Sequence, residues 1–206
     1  MFKDRVDAGR QLAGALRAYE GASDAMVLGI PRGGVIVAAE VARALGLPLD
    51  VAVAAKVGAP GNPEYAVGAV AADGEVTANP GAGYSAEQVR ELSVAAHAKV
   101  EAQLAKARGD RPPLDIVGKT AILVDDGLAT GLTATAAADW LSRQGAARVV
   151  VAVPVAPPDT VRMMSSHADE VVAVEVPRWF SAVGQFYRVF GQTDDAEVRA
   201  ALDAAE

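Results

Sequence analysis

The chain has 206 residues, 51% of them hydrophobic and 22% charged, and a formal net charge of −7. This length and apolar content suit one compact α/β domain over 1–206 with a real core, and the acidic balance argues against DNA or RNA as the main partner. No cysteine occurs, which excludes disulfides, thiolate metal sites and Cys nucleophiles, and with neither a signal-peptide h-region nor an apolar run of about 18 residues, a cytoplasmic protein without a membrane partner is expected.

In chain order, Leu12, Leu16 and Tyr19 recur at helical spacing and predict a helix over 4–19, ended by Gly21. Residues 25–30 are a short apolar run, predicted as a buried strand, and Pro31-Arg32-Gly33-Gly34 forms the sharp loop after it. Val37, Val41 and Leu45 mark a helix stopped by Gly46, and 49–55 is the next apolar strand, with Lys56 at its end. That is a strand–loop–helix–strand unit. Gly and Pro become frequent from 56 to 83, where a β-like piece at 67–71 and a turn at Asp73-Gly74 suggest a hairpin. Ser85 and Gln88 form a capping-box pattern for a long helix to about Arg108, broken by Arg111-Pro112-Pro113. The stretch of about 57–115 therefore reads as a flap that leaves the sheet. Alternation then resumes: strand 120–124, loop 125–130, a helix to Gly145, strand 148–153, helix 158–165, strand 170–174 and a terminal helix over 194–204. Apolar strands alternating with helices predict a parallel sheet covered on both faces.

The segment 121–133 carries the clearest chemistry. An apolar strand runs into Asp125-Asp126-Gly127-Leu128-Ala129-Thr130-Gly131-Leu132-Thr133. In open α/β sheets ligands bind at the carboxyl ends of strands, where this loop belongs. Gly127 and Gly131 let the backbone turn and approach a ligand. The free N–H groups of Gly127, Leu128, Ala129, Thr130 and Gly131 at a helix start, with the Thr130 and Thr133 hydroxyls, make an anion cradle. The carboxylates of Asp125 and Asp126 are acceptors only, suited to a vicinal diol and unsuited to a phosphate. A ribose 5′-phosphate satisfies both halves. A Walker A loop would need Lys where Leu132 stands, and no G-x-G-x-x-G is present. Taken singly, each of these residues would serve equally for turning and helix capping.

This string resembles the phosphoribosyl pyrophosphate (PRPP) signature of type I phosphoribosyltransferases. Ile30-Pro31-Arg32-Gly33-Gly34, Lys56-Val57-Gly58, Asn62-Pro63-Glu64, Gly68-Ala69-Val70 and Pro154-Val155 resemble a bacterial group of that superfamily whose acceptor is undefined. The resemblance runs from about Phe2 to about Val198. It implies a parallel-sheet type I fold with an inserted flap or hairpin and a C-terminal hood at about 175–190. It further implies that Arg32, Gly33, Gly34 and Lys56 hold pyrophosphate and that the hood covers the acceptor, with Trp179 and Phe180 placed to stack on a ring. The same aromatic segment could instead clasp the C-terminal helix, and a homodimer is compatible with the resemblance.

The reaction implied is transfer of 5-phosphoribosyl from PRPP to an unidentified acceptor, usually a nitrogen, with release of pyrophosphate. Mg²⁺ would be bound mainly through PRPP rather than in an all-protein cage. Asp125 and Asp126 would orient the ribose and balance charge at an oxocarbenium-like centre. Purine-salvage members carry an acid where this chain has Ala129, which speaks against a hypoxanthine- or guanine-type acceptor. A non-catalytic PRPP- or nucleotide-binding regulator and a hydrolase of phosphoribosyl compounds remain alternatives on the same fold. His97 and His167 have no partner at metal-ligand spacing and read as ordinary surface residues.

Overall fold

A computed structural model describes residues 1–205. Helix α1 (Arg5–Ala15) starts at Asp4, whose side chain accepts the Asp7 N–H. It is shorter than the apolar spacing predicts: a 3₁₀ turn at Arg17–Tyr19 follows. Leu16 still buries itself there, and the Tyr19 hydroxyl donates to Glu170 at 2.6 Å. The spacing thus reports the face correctly while the last turn tightens.

Strand β1 (Ala25–Gly29) is buried throughout. Helix α2 (Gly33–Leu45) ends at Gly46, which takes the left-handed conformation of a C-terminal cap. The predicted strand over 49–55 divides. Its first part, β2 (Leu49–Val51), pairs with β1, while its second part begins β3 (Ala54–Ala59) of a different sheet. There β3 pairs antiparallel with β4 (Asn62–Ala71), and β4 with β5 (Val76–Ala78). The hairpin at Asp73-Gly74 is present, with Gly74 at φ 78°. The expected single helix up to Arg108 is two, α3 (Ala86–Leu92) and α4 (Val94–Arg108). They part at Ser93, whose hydroxyl bonds back to the Arg90 carbonyl at 2.7 Å, the local competition that bends helices at Ser.

The chain then returns as β6 (Thr120–Val124), α5 (Leu132–Arg143), β7 (Arg148–Val155), α6 (Pro158–Met164), β8 (Glu170–Glu175) and α7 (Asp195–Asp203). The main sheet is parallel throughout, in the order β2-β1-β6-β7-β8. Its strands alternate by twos between faces. Val27, Ile122, Val124 and Val150 meet Leu12, Val37 and Val41 of α1 and α2. Met26, Leu28, Leu123 and Val151 meet the alanine-rich α5 on the other side. Small residues at 134, 136, 137 and 138 allow that helix to sit close, which is how a core poor in aromatics still fills. The flap has its own valine core, with Val57, Val67, Val70, Val89 and Val100 packed against Val35, Val51 and Val198. Helix α7 packs on α2 and α4. The hood segment holds the N-terminal segment: the Phe2 N–H donates to the Phe186 carbonyl at 2.8 Å and the Phe2 and Tyr187 rings lie 5.3 Å apart.

Candidate active site

The strand order reverses between β1 and β6, and two loops leave this seam side by side. Gly29 and Val124 are partners in register, and Ile30 donates its N–H to the Val124 carbonyl at 2.8 Å. A crevice at such a switch point is where open α/β sheets bind ligands. The first loop carries Pro31-Arg32-Gly33-Gly34, with a cis peptide between Pro31 and Arg32. The second carries Asp125 to Gly131.

The loops touch through the glycines. A Cβ on Gly34 would lie 2.8 Å from Asp125 Cα, and one on Gly33 would lie 2.1 Å from Asp126 Oδ2. No side chain fits at either position, so the close approach of the 31–34 backbone to both acids requires glycine.

The second loop is tied at three carbonyls or amides. Tyr187 donates its hydroxyl to the Asp126 carbonyl at 2.6 Å, the Leu128 N–H reaches the Val155 carbonyl at 2.9 Å, and the Thr160 hydroxyl reaches the Ala129 carbonyl at 2.6 Å. Gly131 caps α5 at φ 74°, with Met163 and Thr160 packed where a Cβ would be. Among the described residues, the N–H groups of Ala129, Thr130, Gly131 and Leu132 donate to no protein group. They border an open cleft of about 200 Å³ lined by Asp125, Gly127, Leu128, Ala129, Thr130, Gly131, Thr133 and Val183. Unpaired amides at the start of a 12-residue helix, with two threonines, form an anion-binding concavity.

The two acids face different surroundings. Asp125 lines the cleft, and its Oδ1 accepts the Asp126 N–H at 2.8 Å. Burial, and then the charge of Asp126, push its carboxyl well above the usual range. Asp126 turns toward Arg5, which donates Nε–H to Oδ2 at 2.8 Å. Burial raises Asp126 as well, but Arg5 opposes the rise. Burial and the nearby Asp126 charge also raise Tyr187 far above the ordinary phenol range, so it stays protonated and donates.

The remaining predicted residues fall in three places. Arg32 is exposed beside Gly33, and its guanidinium makes no hydrogen bond or ion pair among the described residues. Lys56 does not end a strand of the main sheet, as expected from 49–55. It lies within β3 because the chain changes sheets at 52–53, and its ammonium pairs with Glu64 at 3.1 Å. In the hood, Trp179 is 89% exposed, whereas Phe180 stacks on Phe186 with ring centroids 5.4 Å apart. His167 is not a bare surface residue but pairs with Asp139 at 2.8 Å, and His97 contacts the Ala72 carbonyl. Among the described residues no group of three or more His, Asp or Glu could hold a metal ion by itself, and no helix is long and apolar enough to cross a membrane.

Sequence reasoning missed Arg5 and Tyr187. Tyr187 lay within a segment singled out for its aromatic content, so a polar use for its hydroxyl was discoverable. Arg5 sits in an unremarkable first helical turn, and only the tertiary fold brings it to Asp126.

Comparison with known proteins gives the family. Two Mycobacterium tuberculosis proteins, from strains CDC 1551 / Oshkosh and H37Rv and provisionally named phosphoribosyl transferases, are 44% identical over 209 residues, covering 100% of this chain and 47% of theirs. The chain thus spans about half the length of these curated relatives. The crystal structure of TT1426 from Thermus thermophilus superposes with a TM-score of 0.83 at 44% identity, covering 98% of this chain and 97% of that one. The AQ2163 protein of Aquifex aeolicus shares the fold at a TM-score of 0.52 and 13% identity, over 87% and 78% of the two chains. The family model described as the phosphoribosyl transferase domain matches residues 2–190, and the chain belongs to that family.

Proposed function

We propose that this chain binds PRPP across the β1–β6 seam and transfers its 5-phosphoribosyl group to a nitrogen nucleophile, releasing pyrophosphate. The single observation that carries this reading is the contact between the Gly33-Gly34 backbone and the paired acids, on the same edge as the unpaired amides of the 129–132 cradle. One extended ligand with a phosphate, a diol and a diphosphate in that order matches the three chemistries.

The 5′-phosphate sits on the amides and hydroxyls of Gly127, Leu128, Ala129, Thr130, Gly131 and Thr133. Asp125 and Asp126 take the ribose hydroxyls. Arg32 and the Gly33-Gly34 amides take pyrophosphate, where the free guanidinium offers a forked cation. Lys56 joins them if its exposed pair with Glu64 opens, which costs little. The cleft supplies amides, hydroxyls and one lining carboxyl, too few hard oxygens to hold Mg²⁺ alone. That donor set fits an ion carried by the oxygens of PRPP, which would help neutralise the departing diphosphate. Departure leaves positive charge on the sugar, which the two acids stabilise where it develops. The flap over about 57–115 and the hood, with Trp179 exposed for stacking, then exclude water from the sugar cation. At the position of Ala129 no proton can be exchanged, so the acceptor is one that needs no acid or base there.

Pyrophosphate release from PRPP with Mg²⁺, measured across a panel of nitrogenous bases and amines, tests this. Turnover with at least one acceptor is expected. Saturable PRPP binding with no turnover on any acceptor would make the chain a regulator, and absence of PRPP binding overturns the reading.

A further inference from the structure

Arg5 is the most heavily engaged cation near the site, and nothing in the PRPP reading employs it. Its Nε donates to Asp126 Oδ2 at 2.8 Å, its Nη1 donates to the Gly191 carbonyl at 2.8 Å, and its guanidinium lies 4.1 Å from the centre of the Phe190 ring. The side chain is 14% exposed and that of Asp126 16% exposed, so the pair is largely screened from water. A Cβ on Gly33 would lie 2.6 Å from Arg5 Nε, so the pyrophosphate-side loop rests directly on the pair. Three separate pieces of chain therefore converge on the guanidinium that α1 presents: the 31–34 loop, Asp126 and the stretch after Tyr187.

We propose that Arg5 is a positioning residue that binds one oxygen of Asp126, fixes the plane of that carboxylate beneath Gly33, and leaves its other oxygen to a ribose hydroxyl. The inference rests on the PRPP reading for the ligand but not for the Arg5–Asp126 bond itself. A fork held at three points loses little further freedom when ligand arrives, and a preset carboxylate avoids the ordering cost that binding otherwise bears. The charged and titratable groups about Asp126 are Arg5, Asp125 and Tyr187. Of these only Arg5 opposes a second negative charge beside Asp125. The Tyr187 hydroxyl holds the backbone of the same residue through its carbonyl, so main chain and side chain of Asp126 are each held by a hydrogen bond.

The test uses the full chain, PRPP with Mg²⁺, and two readouts. In calorimetry, Arg5→Ala is expected to weaken PRPP binding at least tenfold. Arg5→Lys should recover part of the loss, and millimolar guanidinium ion should recover part of it in Arg5→Ala but none in Arg32→Ala. Without ligand, the carboxyl carbon of Asp126, assigned by its loss in Asp126→Asn, should titrate at higher pH in Arg5→Ala than in the parent. If Arg5→Ala fails to fold, Arg5→Lys carries both readouts at smaller amplitude. Failure of the parent chain to bind PRPP sinks the functional reading, and the titration then decides the Arg5 claim alone. An Asp126 titration that Arg5 substitution leaves in place, or unchanged PRPP affinity in a variant whose titration has moved, overturns the positioning role.

Discussion

At Asp125 a carboxyl has surrendered much of its water and meets a second acid one residue on. Its raised folded value has a definite sign in stability. A proton held more tightly in the folded state favours folding below the unfolded value near 4, and that contribution is lost as pH climbs through the folded value. At neutral pH the carboxyl, whose charged form burial disfavours, therefore works against the fold. Asp125→Asn is expected to raise the melting temperature at pH 7, by roughly 2–4 °C for each kcal/mol regained, with the gain shrinking as pH falls toward about 4 and gone below it. Thermal melts over a pH series check this, and a variant no more stable than the parent at pH 7 would mean that the carboxyl is well solvated. Gly33 makes the complementary point in sterics: Gly33→Ala places a methyl 2.1 Å from Asp126 Oδ2. Overpacking of this kind costs about 1–3 kcal/mol, and PRPP affinity measured by calorimetry should fall with it. Both residues were legible as site candidates in the sequence, because strand-end acids and a Gly-Gly turn are local patterns. Their mutual contact was not, since it depends on which strands pair.

Among the elements, the flap departs most from its sequence pattern. The apolar run 49–55 reads as one strand because burial continues unbroken through Ala52 and Val53, although the chain changes sheets there. Periodicity reports burial and is blind to which sheet provides it. The same limit moved Lys56 from a strand end into β3, where Glu64 from β4 answers it. With side chains 40% and 92% exposed, that pair is worth about 0–1 kcal/mol. Glu64→Gln should leave stability within that margin while freeing the ammonium, and PRPP should bind more tightly at low salt. Lys56→Ala should weaken binding. Titrations at two ionic strengths separate the cases, and identical affinities for both variants would remove Lys56 from the ligand's reach. The helices were read more successfully. The Ser85–Gln88 box forms as its pattern predicts, whereas the break at Ser93 turns on a single hydroxyl choosing the backbone.

For the whole molecule, the main sheet and the flap are joined by a charged pair as well as by valines. Asp50 on β2 accepts from Arg108 at 2.9 Å and from the Leu114 N–H at 3.1 Å, linking the sheet edge to both ends of the 108–114 turn. Its side chain is 11% exposed and that of Arg108 16%. Removing one partner of such a pair strands the other, at about 3–5 kcal/mol. Asp50→Ala should lower the denaturation midpoint in urea accordingly, and a loss below about 1 kcal/mol would show that the two bodies hold together without it. The alternation of strands and helices announced a parallel sheet, but the neighbourhood of β1 and β6 could not be read, because an entire subassembly lies between them in the chain. That neighbourhood has a consequence for diversification. The flap leaves the sheet after the end of the edge strand β2 and re-enters it at the start of β6, while β1 and β6 stay bonded to each other without it. Such an insert is exchangeable cargo: its length and composition can drift while the seam between the two strands, with the loops that leave it, keeps its register.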